Sequence, residues 1–464
     1  MRFISNLSSA LLTLSALLPT GQAMDLNWHA PRKTDLNNLT SVLAGEGVYG
    51  FIFNTSDTPD EVYGTYNWCN MPHVRSKEYV KASDEYELQY VEIPLAEGSK
   101  QAANGYWHGF TSPINPFVPS GWRGTCSFPQ ITSDGLEDSW THGHDLYGVY
   151  HDLLAFLPDR ASNDWRSKVL YRVTNNVITS QVAGMVINGM WDTTDSIPLL
   201  IQATGIDSLE PQYSCDAGAL LFDAIKSSSN PDWQQHLDSS AGLFATLDDI
   251  SGVPEDDSGF HASFDHYFDN LSARQCHEKP LPCKLVDGQN STADCVDQTL
   301  ADAVYRMGQW EYSQIYRDAN ASLSASVASY GVWIAELSTH LRDVVAGKGG
   351  TLYLHNVAHD GSTSRVLSIL QADVMVWPGM GSEIVFELYK KSENGYMPKN
   401  KNKNTSETGY YTRVLFGGQT LASSNPSLGV MDMLPVEMLL SYFEGLVGEN
   451  ASLIKGKCDG SLPL

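Results

Sequence analysis

Apolar residues recur at spacings of three and four from Leu136 to Leu157, through Trp140, Gly143, Tyr147, Tyr150 and Leu154. That period predicts a helix with one buried face. Asp134 is placed to cap it, with Glu137 three residues on, and Pro158 to stop it. Glu87 to Ile93 alternates in part and predicts a strand. Lys168 to Val173 predicts another, running through Asn175-Asn176 into an apolar helix over Val177 to Met190. Further on come a helix over Leu323 to Val345, a strand over Thr351 to Val357, a turn at His359-Asp360-Gly361 and a helix from about Ser364 to Leu370. Glu383 to Tyr389 and Tyr411 to Phe416 read as paired strands. Val436 to Leu446 reads as a closing amphipathic helix with Pro435 at its first turn. Tyr106 to Thr132 is dense in Pro, Gly and Ser, and Pro398 to Glu407 is rich in Lys and Asn, so both read as loop.

Strand-then-helix alternation predicts an α/β protein with a mostly parallel sheet and flanking helices. Residues 196–320 lack long strands and read as an inserted, mostly helical cap. The expected organisation is a leader over 1–23, a core from 24–195 and 321–464, and the cap between. In such sheets, ligands sit beyond the carboxyl ends of the strands. Arg172 ends one strand there and His359-Asp360 ends another. Each precedes a helix whose N-terminal amides favour an anion.

The leader is read from Arg2, the short apolar run Ala10 to Leu18, and the small residues Gly21-Gln22-Ala23. It implies export. No later stretch is apolar enough to span a bilayer, so no membrane partner is expected. Asn-x-Ser/Thr acceptors at Asn38, Asn54, Asn270, Asn290, Asn320, Asn404 and Asn450 agree with export and imply N-linked glycans. With 54 acidic against 29 basic side chains, the net charge is -25, which excludes a basic nucleic-acid footprint. An anionic ligand would need a local cluster of arginines. Seven cysteines (Cys69, Cys126, Cys215, Cys276, Cys283, Cys295, Cys458) cannot all pair within one chain. No C-x-x-C occurs, and no cofactor or metal is expected.

Several stretches resemble the histidine acid phosphatase family, in its branch of secreted fungal acid phosphatases and phytases. The matching text is Tyr66 to Arg75, Ser127 to Leu157, Tyr171 to Met190, Ser263 to His277, His355 to Gln371, Val376 to Tyr389 and Ser424 to Met433. The resemblance implies a phosphoglycerate-mutase-like fold and hydrolysis of small-molecule phosphomonoesters through a phosphohistidine. It assigns His359 to phosphoryl binding, Asp360 to protonation of the leaving alcohol and Arg172 to the phosphoryl oxygens. Attack on a dianion needs positive charge preorganised around those oxygens, and the leaving oxygen needs a proton.

The first motif of the family does not match. Arg-His-x-x-Arg-x-Pro should follow the first strand. Here Val91-Glu92-Ile93 runs into Pro94-Leu95-Ala96-Glu97-Gly98-Ser99-Lys100-Gln101, and Arg-His-x-x-Arg occurs nowhere. The nucleophile and two arginines are therefore missing, and the chain as written is expected to be inactive or severely impaired. A pseudophosphatase that binds a phosphorylated ligand or protein is the alternative. An unrelated secreted binding glycoprotein is a third, weaker one.

Other candidates read as structural. His108 lies in a Gly/Pro-rich loop without flanking arginines. His142, His144, His151 and Asp152 lack a ligand spacing, since only His144 and His151 share a helix face. No G-x-S-x-G elbow is present, and Gly379 to Ser382 precedes a strand, so it is no phosphate loop.

Overall fold

The computed structural model describes residues 24–32, 38–48, 66–96, 131–287, 289–373, 375–392 and 408–463. The expected leader, His108, Cys126, the loop expected over Pro398 to Glu407 and the acceptors Asn54 and Asn404 lie outside them.

The chain alternates as expected. A short helix, α1 (Leu39–Ala44), comes first. Then follow β1 (Tyr86–Ala96), α2 (Ser133–Tyr147), β2 (Val169–Val173), α3 (Val177–Trp191) and β3 (Leu200–Ile201). Residues 196–320 carry α4 (Asp216–Ile225), α5 (Pro231–Ser251), α6 (Asp265–Cys276) and α7 (Gln298–Ser313). They also carry a hairpin that the sequence reading missed, β4 (Cys283–Val286) with β5 (Gln289–Cys295). Next come α8 (Ala321–Val345), β6 (Tyr353–Ala358), α9 (Asp360–Ile369), β7 (Ile384–Lys391) and β8 (Tyr410–Phe416). β9 (Gln419–Thr420), β10 (Leu434–Pro435), α10 (Val436–Val447) and α11 (Ile454–Cys458) close the chain.

The main sheet runs β10-β8-β7-β1-β6-β2-β3. Pairing is parallel through β1, β6, β2 and β3, while β7, β8 and β10 add an antiparallel flank. Both faces are covered, and the strand residues alternate between them. Val91, Ile93, Tyr353, Val357, Tyr171 and Val173 join the core under α2 and α3. Tyr90, Leu354, Ala358, Phe386 and Val414 face the core shared with α8, α9 and α10. α2 and α3 approach closely. A Cβ on Gly143 would stand 2.2 Å from the Val186 carbonyl oxygen, and one on Gly189 2.0 Å from that of Trp140. Only glycine fits at these two crossings.

Three local expectations are corrected. Thr132, not Asp134, is the N-cap of α2, and Asp134 lies in its first turn, where its charge complements the helix dipole. β1 does not stop at Ile93 but keeps its register with β6 to Ala96. No separate turn follows β6. His359 is the N-cap of α9, and the helix starts at Asp360. The Asp-Gly turn signal is overridden because the chain must fold back onto the sheet directly after β6.

Six of the seven cysteines lie in described residues, and all six pair: Cys69 with Cys276, Cys215 with Cys458, Cys283 with Cys295. No described helix is long and apolar enough to cross a membrane.

Candidate functional site

The site is built where β1, β6 and β2 end side by side. Ala96 of β1 pairs with Ala358 of β6, the residue before His359. On the other side, Arg172 of β2 stands opposite Asn356, and Val173 opposite Val357. Parallel strands in register thus deliver Arg172 and His359-Asp360 to one sheet edge.

His359 is part-buried. Its Nε2 lies 3.1 Å from Thr174 Oγ1 and 3.7 Å from Glu210 Oε2. Thr174 directly follows β2, and its Oγ1 also lies 3.2 Å from Thr179 Oγ1 in the first turn of α3. The His359 carbonyl accepts the amides of Ser362 (3.0 Å) and Thr363 (3.1 Å), which fixes it as the first residue of the helical turn.

Asp360 is held as an acceptor on both oxygens. Tyr312 Oη and Trp377 Nε1 each donate to Oδ2 at 2.7 Å, and the Gly361 amide donates to Oδ1 at 2.7 Å. Tyr312 and Trp377 stack with ring centroids 4.3 Å apart. Trp377 stacks in turn on Phe268 at 4.3 Å, so an aromatic column joins α6 and α7 to the site. Burial, and then the charge of Asp360, push the Tyr312 phenol well above its ordinary range. It therefore donates as a neutral hydroxyl.

Arg172 is 8% exposed and fully committed on the face covered by α8. Nη1 donates to Glu336 Oε2 at 2.7 Å. Nη2 donates to Gln202 Oε1 at 2.9 Å and Ser208 Oγ at 2.8 Å, and lies 3.4 Å from Asp207 Oδ1. None of these bonds goes to His359 or Asp360. One turn along α8, His340 Nδ1 lies 2.9 Å from Glu92 Oε2, and Glu92 accepts from Asn356 Nδ2 at 3.2 Å. Two polar clusters therefore lie beneath the sheet edge, and in the one around Arg172, Glu336 and Asp207 face the guanidinium.

Thr174, Glu210, Tyr312 and Trp377 are the site neighbours the sequence reading missed. Thr174 was within reach, since it sits in the Arg172-to-Asn176 text. Tyr312 and Trp377 were not, being 48 and 17 residues away from Asp360.

The histidines of the helix after the Pro/Gly/Ser-rich loop find separate partners. His142 Nε2 lies 2.9 Å from Glu383 Oε2 and its ring stacks on His73. His144 stacks on Trp140, and His151 lies 2.7 Å from Asp152. No group of three His, Cys, Asp or Glu among the described residues is arranged to hold a metal ion.

No known family profile matches the chain. It is 25% identical to Counting factor 60 of Dictyostelium discoideum over 295 residues, which is 61% of this chain and 65% of that protein, short of two thirds of its length. Among solved structures it is similar to the apo phytase of Hafnia alvei, with a TM-score of 0.52 at 11% identity, covering 80% of this chain and 99% of the phytase. The phytase of Citrobacter braakii gives a TM-score of 0.52 at 12% identity over 79% of this chain and all of that one. Identity this low speaks to architecture alone: the chain has the fold of the histidine acid phosphatases and phytases.

Proposed function

We propose that the chain is a secreted histidine-acid-phosphatase-like protein whose phosphomonoester site is formed by His359, Asp360 and Arg172, and that the chain as written does not turn phosphomonoesters over. In this reading His359 contacts the phosphoryl group, Asp360 faces the leaving oxygen and Arg172 is the one phosphate-directed arginine left. Residues 196–320, apart from β3 at the edge of the sheet, form a cap over its carboxyl side.

One observation carries the reading. β1 delivers its carboxyl end beside Ala358, next to His359, where the family's attacking histidine should emerge, and the sequence there contains no histidine from Pro94 to Trp107. The acid-donor side of a phosphatase site is present and the nucleophile side is missing. Without a nucleophile the remaining groups supply positioning and charge only. Export is supported by the leader and by three disulfides, which persist in oxidising compartments.

The test is a rapid-quench reaction with a labelled generic phosphomonoester. No acid-labile, histidine-linked label and no product burst are expected. A trapped phosphohistidine overturns the reading. The second reading, a non-catalytic protein that binds a phosphorylated ligand, is favoured by the lack of a histidine from Pro94 to Trp107, beside a retained His359, Asp360 and Arg172. Calorimetry with inorganic phosphate, on the wild type and on Arg172→Ala, tests whether binding survives the loss of turnover. A binding signal lost in the variant, without turnover, supports the non-catalytic protein.

A further inference from the structure

The β4–β5 hairpin stands apart from the main sheet as a two-stranded ribbon. Such ribbons are marginal on their own. This one is closed by the Cys283–Cys295 disulfide and tied to α5 through Lys284 and Asp249. Its tip is apolar and open: Leu285 is 66% exposed and Val286 52%. Single exposed aliphatic residues are ordinary. At the end of an isolated hairpin Leu285 and Val286, successive strand residues, project to opposite faces, so each needs its own cover.

The strand register shows what stands opposite. Leu285 pairs directly with Asn290 across the antiparallel ladder. Directly paired residues project on the same face, with Cβ atoms about 4.5–5.5 Å apart. Asn290 begins the acceptor Asn290-Ser291-Thr292. It is exposed, and its side chain takes part in no hydrogen bond among the described residues, while Ser291 Oγ is turned to Asp294. Two of the other described acceptors, Asn38 and Asn270, use their side chains locally. Asn38 Oδ1 accepts the Ser41 amide at 3.2 Å to cap α1, and Asn270 Nδ2 donates to the His266 carbonyl at 2.8 Å.

We propose that Asn290 carries an N-linked glycan whose first N-acetylglucosamine lies over Leu285 and covers that side chain. The amide nitrogen of Asn290 and the Leu285 side chain share a face and are one cross-strand step apart. The apolar face of the first sugar ring is of the size to cover a leucine side chain. The covalent step condenses the Asn290 amide with a lipid-linked oligosaccharide donor. It forms the N-glycosidic bond, and the lipid diphosphate leaves with the displaced proton. The sugar removes Leu285 from water without requiring a partner protein, and the disulfide keeps the register that places it there. The proposal rests on export of the chain and is independent of any phosphatase activity.

Two measurements on the full chain, secreted from a glycosylating eukaryotic host, test it. Glycopeptide mass spectrometry is expected to find Asn290 occupied; an unmodified Asn290 overturns the proposal. Native chymotrypsin then reports on Leu285, since exposed tips are preferred sites of nicking and the disulfide holds the cut halves together until reduction. Thr292→Ala deletes the acceptor without touching Asn290 or Leu285. It is expected to raise the rate of cutting after Leu285 by about fivefold, and Asn290→Gln to do the same. Adding Leu285→Ser removes that cut in either background. Trimming the glycan to its first sugar is expected to preserve protection. An unchanged cutting rate in Thr292→Ala, or protection lost on trimming, overturns the contact with Leu285.

Discussion

Arg172 Nη1 sits 2.7 Å from Glu336 Oε2, a salt bridge between the end of β2 and the middle of α8 that holds the arginine against the sheet. With Asp207 beside it, the guanidinium faces two carboxylates. A phosphate dianion must compete with both for the same donors. Glu336→Gln removes one competitor and keeps an acceptor of similar shape. Because Glu336 is partly exposed, the change is moderate. Inorganic phosphate is expected to bind roughly three- to tenfold more tightly, in line with about 1 kcal/mol for such a pair. Calorimetry checks it, and no gain in affinity would mean that Arg172 does not face the ligand.

The aromatic support of Asp360 gives a second expectation. Tyr312 and Trp377 donate to the same oxygen, so either alone still satisfies it. Tyr312→Phe is expected to destabilise the fold by about 1.5–3 kcal/mol, the usual range for a lost hydrogen bond to a charged group. Trp377→Phe adds lost packing against Phe268. Together they leave Oδ2 bare, so the double variant should lose more than the sum of the two. Urea denaturation of the four proteins measures the coupling, and strict additivity would deny that the two donors share Asp360.

How much of this was legible beforehand differs by element. The strands over 168–173 and 351–357 and the helices over 177–190 and 323–345 were legible because each is long, apolar and flanked by clear breaks. The β4–β5 hairpin was not. Its first strand is only four residues long and its second is polar, and a disulfide rather than a buried hydrophobic face fixes them. The position of His359-Asp360 at a strand end was legible, whereas the partners of Arg172 were not. Gln202, Asp207 and Ser208 come from a loop without periodicity, and Glu336 from a helix 164 residues away.

Buried titratable groups make a third expectation, with opposite signs on the two sides. Burial, aided by nearby His142, pushes His355 down to about 3. The folded state then binds fewer protons than the unfolded state between pH 6.5 and about 3. That contribution to stability is present above pH 6.5 and is lost as pH falls, at up to about 1.4 kcal/mol per pH unit. Burial pushes Asp318 up to about 6 against the pull of Ser313 and Arg317. Its contribution is present below pH 3.8 and is lost as pH rises through about 6. The two slopes oppose each other from about pH 4 to 6. His355→Gln should therefore tilt the urea-midpoint profile toward lower pH, and Asp318→Asn toward higher pH. Profiles that stay parallel to the wild type in both variants would rule this balance out.

The interval after β1 supports the last expectation, that a coding segment is missing or mis-joined there. The resemblance to the family runs cleanly to Val91-Glu92-Ile93 and resumes near Phe110-Thr111-Ser112, while Pro94 to Asn104 resembles neither side. The strand itself is intact and ends against β6, beside Ala358. Cysteine arithmetic points the same way. Seven cysteines less the six in three disulfides leave one, Cys126. A missing segment that carried its partner would account for the odd count, since exported proteins seldom keep an unpaired thiol. Two measurements bear on this. In denaturant without reductant, the chain as written should take up one maleimide, on Cys126. A full-length messenger from the source cells should contain an inserted segment that encodes Arg-His-x-x-Arg and one further cysteine. The protein made from it should take up no maleimide and should form the phosphohistidine that the shorter chain cannot. A messenger that matches this chain, together with good secretion of folded protein, would defeat the idea. The loss of the nucleophile would then be an evolved state, and a phosphorylated ligand bound without turnover would become the function to pursue.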